Sequence, residues 1–143
     1  MKPFARKLAT AGSALALAAS SLLLASSPAS AATSCYASSC QGLDPASTIC
    51  QNDARTVGIS GWSNLELRYS PTCRAAWARL ADGGPYGQYV TVSREDGNGA
   101  YSTHYYGNGA TVWTAMVNDK DIKSHACEYR DDGSGYFNCT TSY

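Results

Sequence analysis

The chain has 143 residues, 44% hydrophobic and 15% charged, with eleven Lys and Arg set against eleven Asp and Glu. The balance is uneven, because Lys2, Arg6 and Lys7 stand at the start and leave eight basic against eleven acidic residues downstream, a net charge near −3. Composition therefore excludes the clustered basic face of a nucleic-acid binder.

In chain order, the basic start is followed by an Ala- and Leu-rich run from Leu8 to Ala25 and then by Ala29-Ser30-Ala31. Positive end, apolar middle and small-residue exit predict a signal peptide over residues 1–31. Gly12, Ser13, Ser20 and Ser21 dilute the run and argue against a membrane anchor. The expected mature protein, residues 32–143, is secreted, extracellular and free of the membrane, and its length suits one small domain. All six cysteines, Cys35, Cys40, Cys50, Cys73, Cys127 and Cys139, lie in that part. An even set behind an export signal reads as a disulfide framework, which a modest core of this size needs.

Thr33 to Asn52, with three cysteines, Gly42 and Asp44-Pro45, reads as a stapled loop region. Leu65-Glu66-Leu67-Arg68-Tyr69 alternates apolar and charged residues as a half-buried strand does, and Ser70-Pro71 supplies the turn after it. The stretch 71–80 has two readings. As a short helix it would start at Ser70 and Pro71 and present Cys73, Ala76, Trp77 and Leu80; as a strand, Ala76, Ala78 and Leu80 would alternate with Trp77 and Arg79. Agreement with the β-rich neighbours favours the strand. In either case Leu67 and Trp77 are expected in the core. Arg68, Arg74 and Arg79 would then either form a basic strip or pair with Glu66 and nearby acids, pairing being the default.

Further strands are predicted over Gln88 to Glu95, Ala100 to Tyr106 and Ala110 to Val117, joined by Asp96-Gly97-Asn98-Gly99 and Gly107-Asn108-Gly109. Asn and Gly accept the positive φ of tight hairpin turns, so the repeated "GNGA" predicts a meander of antiparallel strands. A last pair, Ile122 to Arg130 and Tyr136 to Tyr143, flanks Asp131-Asp132-Gly133-Ser134-Gly135. The expected fold is mainly β, a small antiparallel, disulfide-stapled domain of six or seven strands. With the final turn centred on Gly133, Cys127 and Cys139 come opposite one another, at a separation a disulfide spans. Three pairings remain among Cys35, Cys40, Cys50 and Cys73.

The residues Cys40-x-Gly-x-Asp44-Pro45, then Cys50, then "LELRYSPTCRAAWARL" resemble the YjfA-like family of small secreted proteins from Gram-positive bacteria, a domain of unknown function. The most specific part is Leu67-Arg68-Tyr69-Ser70-x-x-Cys73-x-x-x-Trp77, and the likeness runs from about Cys35 to Cys127. It implies export and a shared fold and brings no catalytic residues with it.

No catalytic, metal or cofactor motif stands out. His104 and His125 have no partner at ligand spacing, and the cysteines lack the CxxC pairs of zinc sites. The acids Glu95-Asp96, Asp119, Asp121 and Asp131-Asp132 fall in turns without the twelve-residue calcium pattern. Ser70 precedes proline and lacks a nucleophile elbow, and Asn138-Cys139-Thr140 fits a glycosylation sequon in form only. Ten tyrosines, with Trp62, Trp77 and Trp113, give the chain its functional reach, since tyrosine suits surfaces that are wet when free and buried when bound. Tyr101, Tyr105 and Tyr106 are the expected binding face. The leading expectation is a non-enzymatic binding module that engages an extracellular protein or cell-wall polymer, with no cofactor. Its rivals are a secreted protease inhibitor presenting 82–85 or the "GNGA" turns, and a small hydrolase using His104 or His125 with a turn carboxylate.

Overall fold

The period-two alternation at Leu65–Tyr69 becomes a strand in the computed structural model, which describes residues 31–83, 86–133 and 135–143. The export segment predicted over 1–31 lies, but for Ala31, outside the described residues. Among the described residues, nine strands form two antiparallel sheets: β1 Arg55–Ile59, β2 Leu65–Ser70, β3 Ala75–Leu80, β4 Gly87–Arg94, β5 Ala100–Tyr106, β6 Val112–Trp113, β7 Val117–Asn118, β8 Ser124–Arg130 and β9 Tyr136–Cys139. The first sheet runs β1-β2-β3-β6, with β7 also on β3; the second runs β5-β4-β8-β9. The helical reading of 71–80 is corrected. Residues 71–74 are a turn in which the Ser70 hydroxyl accepts from the Cys73 amide (3.1 Å) and donates to Asp53 (2.5 Å), and β3 follows at once.

The core between the sheets comes from alternate positions: Leu65, Leu67 and Tyr69 of β2, Ala76, Ala78 and Leu80 of β3, Val90 and Val92 of β4, Tyr105 of β5 and Ala126 of β8. The opposite face of β3 is buried too. There Ala75 and Trp77 pack with Met116 and with Cys40, Cys50 and Cys73 beneath the stapled N-terminal segment. That segment consists of three 3-10 turns, Ala37–Cys40, Pro45–Ser47 and Ile49–Asn52. It is hung on the sheet by the Ala37 amide to the Cys73 carbonyl (2.7 Å) and by mutual amide–carbonyl bonds of residues 42–43 with Met116 (2.9 Å each). The disulfides are Cys35–Cys40, Cys50–Cys73 and Cys127–Cys139. Cys127 and Cys139 face one another in the β8–β9 register, and Cys50–Cys73 ties the segment to the β2–β3 turn.

Two expectations about connectivity are corrected. Only the first "GNGA" closes a hairpin, between β4 and β5; the second carries the chain from β5 in one sheet to β6 in the other. The Tyr105 hydroxyl reaches back to accept from the Gly109 amide (2.8 Å) and holds that crossover. The single strand expected over 110–117 is two short ones. Between them Thr114 bonds both backbone groups of Ala78, its hydroxyl accepting from the amide (3.1 Å) and its own amide donating to the carbonyl (3.0 Å). That exchange interrupts the ladder and turns Met116 toward the disulfides. Strand β1 was not anticipated, because Val57 and Ile59 are its only large apolar residues and Ile59 is exposed. The C-terminal segment lies against it at Gly58, where a Cβ would sit 3.0 Å from the Thr141 carbonyl.

Candidate functional site

Period two puts Glu66, Arg68, Trp77 and Arg79 on the outer face of the first sheet, because Leu67, Ala78 and Leu80 face the core. Cross-strand register then sets Arg68 opposite Trp77 and Arg79 opposite both Glu66 and Trp113. The stapled segment covers Trp77, which is only 4% exposed, but stops short of Trp113, which is 41% exposed. Between its edge and the sheet runs a groove of about 240 Å3 with Arg68, Trp77, Arg79 and Trp113 along the sheet side and Ala46 and Gln51 along the other.

The edge is built by Asp44-Pro45. Asp44 caps the turn that begins at Pro45 by accepting from the Ala46 amide (2.9 Å), as an acidic cap ahead of proline does. The same Oδ1 accepts from the Trp113 indole N–H (2.9 Å), which fixes the exposed ring against the edge. Arg68 is fully engaged, donating to Thr56 (2.7 Å) and to the Ala54 carbonyl (2.9 Å) with Glu66 at 3.8 Å. Arg79 is not. Its Nε lies 3.0 Å from Glu66 Oε2, yet neither buried atom makes a hydrogen bond. Pairing with Glu66, the default for these arginines, is thus what the structure has for Arg68 and Arg79. Arg74 stands apart in the turn and binds Asp121 (2.9 Å).

The expected tyrosine face is largely dismantled. Tyr105 is fully buried and Tyr101 half-buried against the core, because that side of β5 faces the other sheet; Tyr106, of opposite parity, is exposed. Beyond it lie Tyr89 and His104, with ring centroids 4.7 and 4.2 Å apart along Tyr89–His104–Tyr106, and His104 Nε2 bonds Asp131 (2.9 Å). His125 Nδ1 bonds Glu95 (2.9 Å). Each histidine therefore has a turn carboxylate that spacing in the sequence did not reveal. In the second pair the carboxylate is the bridge, since Glu95 also accepts from Ser142 (2.5 Å). A nucleophile relay instead needs the histidine between hydroxyl and acid. Hydrogen bonds from Ser142 and His125 hold the Glu95 carboxyl below its usual range.

Two carboxyls are buried. Glu128 accepts from Ser63, and burial pushes its pKa up. Asp119 lines a cleft with Tyr69, Arg74 and Tyr143, and burial raises it to about 6. Among the described residues, the one group of three or more His, Cys, Asp or Glu close enough to share a metal is the sulfur cluster of Cys35, Cys40, Cys50 and Cys73, all within 4.8 Å. Those sulfurs are bonded in two pairs. No helix among the described residues is long and apolar enough to cross a membrane.

Comparison with curated proteins and with solved structures gives no match. A family model described as Protein of unknown function (DUF2690) matches residues 38–127, from the first 3-10 turn to the middle of β8 and so across every residue of the groove. The chain belongs to that family.

Proposed function

We propose that this protein is a non-enzymatic binding module acting outside the cell, and that the groove beside Trp113 is its binding site. One observation carries the reading: a partly exposed guanidinium, Arg79, and an exposed, hydrogen-bonded indole, Trp113, stand side by side in a concave site. Sites that recognise ligands are concave, with a few polar groups that converge on the occupant. One wall is a sheet and the other a segment stapled within itself by Cys35–Cys40 and tied to the β2–β3 turn by Cys50–Cys73, so binding loses little to ordering. Three disulfides support an oxidising, extracellular location. The partner class is a cell-wall polymer or an extracellular protein.

The test is co-sedimentation of the oxidised protein with isolated cell-wall polysaccharide, and capture from the secreted proteins of its own source, using wild type and Trp113→Ala. Retention by wild type that Trp113→Ala loses supports the reading. Retention unchanged by the substitution, or none at all, overturns it.

A further inference from the structure

Resting on the groove as the binding site, we infer that its ligand is an acidic sugar: one ring of an acidic polysaccharide, its carboxylate on Arg79 and its C–H face on Trp113. Four features of the groove lead there.

The first is the state of Arg79. Its side chain is 37% exposed, and Glu66 Oε2 meets it at the Nε, 3.0 Å away. The outer edge of the guanidinium is a planar two-donor fork, and a carboxylate is the group that matches it with two parallel bonds. The poor alignment with Glu66 leaves two buried polar atoms unsatisfied, and an anion arriving at the fork would draw the guanidinium toward itself at little cost.

The second is charge. The lining holds two guanidinium groups and no carboxylate; Glu66 and Asp44 touch lining residues without lining the groove themselves. The guanidinium groups thus face the groove, while the carboxylates that balance them, Glu66 and Asp44, lie behind its lining. Arg68, held by Thr56 and the Ala54 carbonyl, is a fixed charge beneath that site.

The third is the ring beside the charge. Trp113 lies directly across from Arg79 in the β3–β6 register, a separation at which facing side chains touch the same ligand. Its N–H is committed to Asp44, so the ring offers a ligand only its π surface. The electron-rich face of an indole attracts polarised C–H groups, which one side of a sugar ring presents. Gln51, which gives one amide N–H to the Ala46 carbonyl (2.9 Å), keeps its oxygen as an acceptor. With the Thr111 hydroxyl it supplies partners for ring hydroxyls.

The fourth is size. A volume of about 240 Å3 falls below the ~300–1,000 Å3 of sites that enclose a drug-sized molecule. It therefore suits one ring, with the rest of the polymer passing out through the open mouth.

The experiment uses the oxidised protein and three probes: oligogalacturonate, a neutral galactan oligomer of equal length, and polyglutamate. Binding is followed by tryptophan fluorescence and calorimetry on wild type, Arg79→Gln, Arg79→Lys and Trp113→Ala, each checked for an unchanged melting temperature. The expected result is binding of oligogalacturonate alone, weakened about tenfold or more by Arg79→Gln, as loss of a charge-assisted pair would do. Arg79→Lys, which keeps the charge and loses the fork, should fall between, and Trp113→Ala should bind about tenfold less tightly and abolish the fluorescence change. Equal binding of the neutral oligomer, insensitivity to Arg79→Gln, or preference for polyglutamate overturns the acidic-sugar assignment. If wall material is retained through Trp113 but oligogalacturonate does not bind, this inference fails and the groove remains a binding site. If nothing binds through Trp113, both fail.

Discussion

Asp119 gives the protein a stability that should fall as pH rises, the reverse of most surface carboxylates. The residue follows β7 and is 5% exposed; its amide donates to the Arg74 carbonyl (2.9 Å) while its Oδ1 is buried without a hydrogen bond. Burial raises its pKa from 3.8 to about 6, against the opposing pull of Ser124, Arg74 and Arg94. Below pH 3.8 the folded and unfolded chains both hold the proton. Between 3.8 and 6 the unfolded chain has released it and the folded chain has not, so each rise in pH favours unfolding; above 6 the whole cost is present. A shift of about two pH units corresponds to about 3 kcal/mol at ~1.4 kcal/mol per unit. With a urea m-value of about 1.5 kcal/mol/M for a small domain, that is about 2 M in the unfolding midpoint. Asp119→Asn keeps the shape and removes the titration. Urea midpoints of wild type and variant measured from pH 4 to 7 should therefore agree at the acidic end and separate steadily, the variant being the more stable at pH 7. Taking the difference cancels Glu128, whose raised pKa acts in the same direction in both proteins. A gap between the two midpoints that stays constant from pH 4 to 7 would refute the reasoning.

Other outcomes follow from the same packing. Trp77→Ala should cost about 3–5 kcal/mol in chemical denaturation, since the ring is buried against two disulfides; a loss under about 1 kcal/mol would place it at the surface. Replacing Cys127 and Cys139 by Ser opens a link between residues 12 apart in sequence. That should lower stability by about 3 kcal/mol and leave two disulfides and no free thiol by mass spectrometry; free thiols among the four remaining cysteines would contradict the pairing. Asp53→Ala removes the acceptor for the Ser70 hydroxyl and the Thr72 amide (2.8 Å), so thermal melts should show a loss of about 1–2 kcal/mol. Burial alone would raise the Asp53 pKa, but those hydrogen bonds outweigh it and hold it below 3.8. Its contribution is thus present above pH 3.8 and disappears as pH falls through the lower folded value, so wild type and Asp53→Ala should converge in acid. Tyr105→Phe leaves the Gly109 amide without its acceptor; a melting temperature within a degree of wild type would show that the crossover does not depend on it.

The fold was legible wherever one strand has one buried face. Leu65, Leu67 and Tyr69 alternate with Glu66 and Arg68 because β2 has core on one side and a half-covered surface on the other. Strand β3 hid behind a helical alternative for the opposite reason: five of its six residues are buried, since the stapled segment covers the face that would otherwise be polar. The Cys127–Cys139 pair could be anticipated because a hairpin makes register a matter of counting from the turn. The other two disulfides join a segment with no period, and only the packed structure chooses among their pairings.

The binding face shows the same division. Sequence determined that Tyr101 and Tyr105 share one side of β5 and Tyr106 the other, and that Arg79 shares a side of β3 with Trp77, because side chains in a strand alternate whatever lies around them. It also determined the even cysteine set and the mainly β character. Only the tertiary structure decided which side of β5 meets the second sheet, which buries Tyr105, and which acids reach His104 and His125 from distant turns. It alone built the groove, whose walls come from residues 45–54, 68, 77–79 and 111–113. Parity along a strand is a local property of the backbone, whereas the side that becomes interior is settled by the burial of both sheets at once.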